Sequence, residues 1–333
     1  MINFLDPYIS YFAQVDFRDQ NSLFGIYQHD RLFGMYLLGK TGSGKTNLMK
    51  TLIYQDVLHH RGFCLFDING DLLKEVLTLI PEHRKKDIVL LDATNPYLDI
   101  GYNPLKKVSY NKRALIASSI LETFQKLWGQ QSWGLKLEYI LRNVILTLLD
   151  QPKANFSDIP KLLLEQNYQK ECLRNVVNKN VVRFWLLEFP KYSKNDLLPV
   201  LNKVGSFLSI PMLNKILVEN TNQISLRNIM DSKKIFLVNL SKGSLGIDGA
   251  HLLGSLLLTS LSSAGFSRVN INEEKRIPFY IYLDEFQNYT TASLTNMFSE
   301  LRKFKIGFIL AHQYLNQLQA DIKNAVLGNI GTI

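Results

Sequence analysis

The octapeptide Gly39-Lys40-Thr41-Gly42-Ser43-Gly44-Lys45-Thr46 settles the architecture around it. A glycine, four further residues and then Gly-Lys-Thr form a loop whose backbone N–H groups can wrap a phosphate. Glycine frees the dihedrals this needs, and the following helix aims its N-terminal amides at the same anion. Both flanks agree with that reading. Met35 to Leu38 is a short apolar strand leading into the loop, and Thr46 to Leu58 has the composition of a helix leading out.

Outward from the loop, strand and helix alternate. Gly62 to Phe66 reads as a second strand, Asn69-Gly70 as a turn, the stretch from Asp71 as a helix, and Ile88 to Leu91 as a third strand. Short, continuously apolar strands separated by helices imply a parallel sheet covered on both faces. From Asn111 to about Ile229 the period becomes helical. Ile116, Ile120, Phe124 and Leu127 make one stripe and Leu137, Leu141, Val144 and Leu148 another, with no convincing strand between. Strand-like runs return at Ile235 to Leu240, Phe279 to Leu283 and Gly307 to Leu310, separated by helices near Gly249 to Ser267 and Ser293 to Lys303. The expected organisation is one α/β domain, residues 1–110 and 231–333, interrupted by an all-α insertion at 111–230. Asn329 to Ile333 reads as a turn entering another strand, so further C-terminal strands are expected beyond it.

The bulk composition limits the function classes. The 333 residues are 46% hydrophobic and 20% charged, which is ordinary for a globular chain. Cys64 and Cys172 are far apart in sequence and neither belongs to a run of paired Cys and His ligands, which argues against a metal cluster or disulfide framework. No continuous apolar run approaches the ~18 residues of a bilayer span, and the N-terminus lacks a signal-peptide pattern. A cytoplasmic location is expected, with any membrane association supplied by partners or by segments outside this sequence. The net charge of +9 favours polyanions, and its distribution is uneven: 16 basic and 9 acidic side chains fall between Asn111 and Met230.

Three groups of residues carry the chemistry. In the loop, Gly42, Ser43, Gly44, Lys45 and Thr46 would donate backbone N–H groups to phosphate, with Gly39 and Thr41 completing its curve. The Lys45 ammonium would bridge the β- and γ-phosphates, and the Thr46 hydroxyl would ligate Mg²⁺. At the end of the strand Phe279 to Leu283, Asp284 would hold Mg²⁺ through water and Glu285 would polarise the attacking water as general base. At the end of the next strand, Gln313 is placed to sense the γ-phosphate, and Arg302 could reach a nucleotide on a neighbouring subunit. ATP and Mg²⁺ are the implied ligands. An acidic pair after a strand is by itself a common way into a helix, and an Arg-Lys pair ending a helix is commonly a dipole cap.

The series GKTGSGKT, FDINGDLL, LVNLSKG, YLDEFQNY, LRKFKIGFILAHQYLNQL and GNIGT, in this order around a helical insert containing LWGQQSWGLKLEYILRN, resembles the HerA/FtsK superfamily of hexameric DNA translocases. Within it the similarity is closest to HerA-like ATPases and to the type IV coupling proteins of conjugative DNA transfer. The resemblance implies a RecA-like motor that hydrolyses ATP at subunit interfaces and moves DNA through a homo-hexameric ring, with relaxase or secretion-channel proteins as further partners. By position, Lys45 and Thr46 match the nucleotide loop, Asp284 and Glu285 the acidic strand, Gln313 the sensor and Arg302 the arginine finger acting in trans. Asp67 and Asp71 fall in a second acidic segment of the family, where Asp71 reads as a helix N-cap. Coupling proteins usually begin with membrane-spanning helices, for which this sequence shows no signal. Two other readings stay open: a motor with protein cargo, as in secretion ATPases, and a nucleotide-binding module with weak or no turnover. A metabolite kinase is disfavoured by the long separation of loop and acidic strand.

Overall fold

The computed structural model describes residues 6–18, 21–291 and 293–333. In chain order the strands are β1 (Ile9–Gln14), β2 (Leu23–Tyr27), β3 (Met35–Leu38), β4 (Gly62–Asp67), β5 (Ile88–Asp92), β6 (Ile100–Gly101), β7 (Asn222–Gln223), β8 (Ile235–Asn239), β9 (Phe279–Leu283) and β10 (Ile306–His312). Six of them form the central sheet in the order β3-β10-β9-β4-β8-β5, with every neighbouring pair parallel. The expected strands all lie within this sheet. Their continuous apolar runs are explained by burial: every residue of β4, β8, β9 and β10 is buried. The architecture is that of a P-loop NTPase with a RecA-like parallel sheet.

The chain divides into two compact units. One comprises the residues up to Asn95 with Ser225–Ser244 and Leu258–Ile333; the other comprises Pro96–Ile224 and Leu245–Leu257. The helical unit thus starts before Asn111 and takes in a segment beyond residue 230. Within it, the helices Tyr110–Trp128 and Leu135–Leu148 bury Ile120, Phe124, Leu137, Leu141, Val144 and Leu148, as the apolar stripes require. It is not entirely helical. β6 and β7 form a two-residue parallel pair, too short to leave any periodic signal in sequence.

The helix Lys242–Phe266 is interrupted by a non-helical glycine, Gly246, at φ 67° and ψ 170°. Such a backbone is costly for any residue with a Cβ. Among the described residues, the stretch Lys242–Asn270 is long and apolar enough to cross a bilayer by length and composition, which corrects the expectation from uninterrupted apolar runs. Its small polar residues hide its length in sequence, and 67% of the apolar window is buried, as in a core helix.

Two features of the sheet unit were not anticipated. β1 and β2 form an antiparallel hairpin against the helix Lys45–Leu58, anchored by the Gln55 amide, which accepts from Tyr11 N at 2.8 Å and donates to Tyr11 O at 2.7 Å. Beneath it lies a buried ionic cluster. Arg31 pairs in bidentate fashion with Asp56 at 2.7 and 2.8 Å, both fully buried, and its guanidinium lies over the Tyr280 ring. Tyr282 donates to Asp56 at 2.5 Å and contacts Arg31. Burial works against the Asp56 charge, but Arg31 holds the carboxyl below its ordinary range, with Arg61 adding to the effect. The cluster locks the loop helix to β9. At the β3 edge of the sheet, Thr332 makes a parallel bridge to Met35.

Candidate functional site

Four strands present polar residues at their carboxyl ends, the edge where parallel sheets bind ligands. β3 runs into the glycine loop, β10 ends at His312 and Gln313, β9 ends at Asp284 and Glu285, and β4 ends at Asp67. The order of strands is what joins them. β10 lies between β3 and β9, so Gln313 stands between the loop and the acidic pair.

The loop has the conformation its glycines predict. Gly42 and Gly44 sit at φ 80° and 93°, and Gly44 is the N-cap of the helix Lys45–Leu58. Gly39 packs against Ser43, whose Oγ would lie 2.4 Å from a Cβ at that position and would have to rotate away. Its N–H donates to His312 O at 3.2 Å, tying the start of the loop to the end of β10. The Lys45 ammonium donates to the carbonyls of Gly39 at 2.6 Å and Lys40 at 3.1 Å, so it lies across the mouth of the loop.

Thr41, Gly42, Gly44, Lys45 and Thr46 share one cleft of about 470 Å³ with Asp284, Glu285 and Gln313. Asp284 is 8% exposed. Burial, reinforced by the charges of Asp67 and Glu285, pushes its carboxyl up to about 6, opposed by the Glu285 N–H and by Lys45. A buried carboxylate that lines the same cleft as Thr46 offers hard oxygen donors of the kind that suit Mg²⁺. Glu285 occupies the left-handed region at φ 49°, unusual for a residue with a side chain, and its carbonyl is held by Asn288 Nδ2 at 2.7 Å. Gln313 Nε2 donates to Glu285 Oε1 and Gln287 Nε2 to Oε2, each at 2.7 Å.

Sequence reasoning left several contributors unassigned. Asp67, fully buried, accepts from the amides of Asn69, Gly70 and Leu73 through both oxygens at 2.8–2.9 Å. It therefore anchors the start of the helix Asp71–Leu79. Asp71 is not the N-cap expected of it: Gly70 holds that position, and Asp71 is exposed with Lys74 3.8 Å away. The Asp-x-Asn-Gly run is a turn signal that could have identified Asp67. Asn69 and the ion pair Lys50–Glu75, at 2.6 Å, also line the cleft. Beneath the loop, the Tyr36 hydroxyl bonds His312 Nδ1 at 2.8 Å; burial lowers His312 from its ordinary value and raises Tyr36 to about 12.

Arg302 is not brought to this cluster. It lies in the 3-10 turn Leu301–Phe304, before β10 and so at the amino edge of the sheet, with its guanidinium 3.7 Å above the Phe33 ring.

The model of the type IV secretion-system coupling protein DNA-binding domain matches residues 27–330. Among solved structures the chain is similar to the bacterial conjugative coupling protein TrwBdeltaN70 in its unbound monoclinic form. The identity is 16% over 92% of this chain and 69% of that one, with a TM-score of 0.64. It is similar to plasmid coupling protein TrwB in complex with ADP and Mg²⁺ at 16% identity, 92% and 70% coverage and a TM-score of 0.62. It is also similar to VirB4 of Thermoanaerobacter pseudethanolicus at 15% identity, 98% and 82% coverage and a TM-score of 0.63. At these identities the likeness is one of fold. No curated protein sequence matches the chain.

Proposed function

We propose, from the premise that this chain belongs to the family of type IV secretion-system coupling protein DNA-binding domains, that it hydrolyses ATP to move DNA during conjugative transfer or type IV secretion. The observation that carries the catalytic part is the 2.7 Å hydrogen bond from Gln313 to Glu285 in a cleft shared with Lys45, Thr46 and Asp284.

In this reading, backbone amides from Gly42 to Thr46 hold the β-phosphate, and Lys45 leaves the carbonyls of Gly39 and Lys40 for the β- and γ-phosphate oxygens. Thr46 and Asp284 would hold Mg²⁺, which supplies charge neutralisation at the phosphates. Glu285 accepts a proton from the attacking water. Each of its oxygens takes one amide hydrogen bond, which orients the carboxylate and leaves lone pairs for that water. Gln313, one residue beyond a strand tied to the loop, is placed to relay the state of the γ-phosphate to Glu285. Arg302, at the other edge of the sheet, would act only on a nucleotide held by a second copy in a homo-hexameric ring. The motor would work at the cytoplasmic side of a secretion channel, alongside relaxase or channel proteins.

The test is ATP turnover by wild type and Lys45→Ala, with and without single- and double-stranded DNA. Turnover that rises with DNA, weakens steeply with salt and disappears in Lys45→Ala is expected. Residual turnover in the variant would remove the loop from the site. A rate unchanged across a DNA titration would instead favour a protein cargo.

A further inference from the structure

The turn that carries Arg302 is braced by two other arginines. Arg268, fully buried, donates through Nη1 to Phe304 O and to Ile277 O, each at 2.9 Å, and pairs with Asp231 at 3.0 Å. Arg276 donates to Lys303 O at 2.5 Å and lies 4.9 Å over the Phe304 ring. The Arg302 carbonyl accepts from Lys305 N at 2.9 Å, where Lys305 closes the turn in the left-handed region at φ 55°. The carbonyls of Arg302, Lys303 and Phe304 are therefore all taken, which leaves the backbone that bears the Arg302 side chain little freedom.

The side chain itself is held differently. It is exposed, and among the described residues it makes no ion pair and no side-chain hydrogen bond. Its hold is the Phe33 ring, 3.7 Å from the guanidinium carbon. Phe33 is fixed in turn: it lies two residues before β3, its N–H donates to Asp30 O at 2.9 Å, and its carbonyl accepts from Gly331 N at 3.0 Å. Because β3 and β10 are parallel neighbours, the residues that precede them fall side by side at the amino edge, which brings together two positions so distant in sequence.

Such a stack differs in kind from an ion pair. A carboxylate would occupy two of the guanidinium N–H groups and offset its charge, whereas an aromatic face attracts the cation and leaves the in-plane donors directed outward. A long side chain that would otherwise sample many rotamers is held with its fork available to an anion brought from outside.

We infer that Phe33 is a positioning residue for Arg302: its ring holds the guanidinium in the orientation in which it meets the γ-phosphate of a nucleotide bound by a second copy. The inference rests on the reading in which Arg302 acts in trans. Were Phe33 to serve only the stability of β3 and its own loop, its loss would be felt by the nucleotide of the same copy; a platform for Arg302 places the loss on the neighbour's.

The experiment measures DNA-stimulated ATP turnover of the full chain, alone and in equal mixture with Lys45→Ala, which supplies Phe33 and Arg302 intact but no working loop. Phe33→Leu should lower kcat about tenfold with ATP affinity changed less than about threefold, and Phe33→Tyr, which restores the ring, should recover the rate. At equal total protein the mixture of Phe33→Leu with Lys45→Ala should turn over about two- to threefold faster than Phe33→Leu alone, although half of its loops are inactive, because subunits combine at random around a ring. Arg302→Ala should show a larger loss and its own recovery in the mixture. Turnover of Phe33→Leu that merely halves in the mixture, a raised KM in place of a lowered kcat, or a rate equal to wild type would overturn the role of Phe33 and leave Arg302 in place. An Arg302→Ala variant that keeps wild-type turnover, or gains nothing from Lys45→Ala, would instead overturn the reading in trans.

Discussion

Replacing Asp284 with Asn should stabilise the nucleotide-free protein while removing its turnover. The carboxyl is raised from 3.8 to about 6, first by burial and then by the charges of Asp67 and Glu285. The folded chain therefore keeps this proton up to about pH 6, whereas the unfolded chain releases it near 3.8. Between those values the folded state binds more protons, so stability falls as pH rises. At about 1.36 kcal/mol per pH unit, the ionised carboxylate costs the fold about 3 kcal/mol by pH 7.5. Asparagine fills the same volume, carries no charge and can still accept the Glu285 N–H now held by Asp284 Oδ1 at 3.1 Å. Thermal unfolding at pH 7.5 should show a midpoint higher by about 5–10 °C in Asp284→Asn. At pH 4.5 the stability gain should shrink to about 1 kcal/mol, because the wild-type carboxyl is then largely protonated when folded. Mg·ATP should raise the wild-type midpoint and close the gap. A variant no more stable than wild type at pH 7.5, or a gain independent of pH, would refute the electrostatic reasoning.

Asp56→Ala leaves Arg31 buried without its carboxylate and should cost about 3–5 kcal/mol in urea unfolding; a loss below about 1 kcal/mol would mean that the cluster does not hold the loop helix to β9. Gln313→Ala should lower kcat about 10–100-fold with ATP affinity changed less than about threefold, since its partner is Glu285 and its expected role is to position rather than to bind. An equal loss in affinity and rate, read by single-turnover kinetics, would assign Gln313 to ground-state binding instead.

The parts of the site that sequence made legible share one form, an uninterrupted apolar strand followed at once by a polar residue. β3 with its loop, β9 with Asp284 and Glu285, and β10 with Gln313 all follow it. Pattern reading worked there because both faces of these strands are covered, so nothing interrupts the apolar run. It failed where a charged residue is buried by pairing. Arg31 and Asp56 look like solvent-facing residues in sequence, and only the fold brings them together with Tyr280 and Tyr282. It fails also at Asp67, because a carboxylate that caps a helix from four residues upstream, across the turn Asn69-Gly70, lies outside the local N-cap pattern that points to Asp71. The pairing of β1 with β2 shifts register between Tyr11 and Ala13, leaving Phe12 as an extra residue, and such a bulge leaves no signal because a single extra residue between two short strands has no period of its own. For Arg302, spacing relative to β10 gave a position in the chain, but a role in trans depends on a second copy, about which one chain's sequence pattern is silent.

The position of β10 has a consequence for biosynthesis. The strand that separates β3 from β9, and whose His312 carbonyl holds Gly39, is the last of the six to leave the ribosome. Roughly 270 residues separate the end of β3 from the start of β10, which at ~5–20 residues per second amounts to roughly 15–50 s of synthesis. Throughout that interval the nascent chain carries a finished glycine loop with no strand beside it and an acidic strand with one bare edge. Nucleotide cannot select for correct folding during elongation, because the pocket it would stabilise does not yet exist. Protection of those edges must come from chaperones or from the speed of the final closure, and ATP can act as a folding ligand only after β10 has inserted.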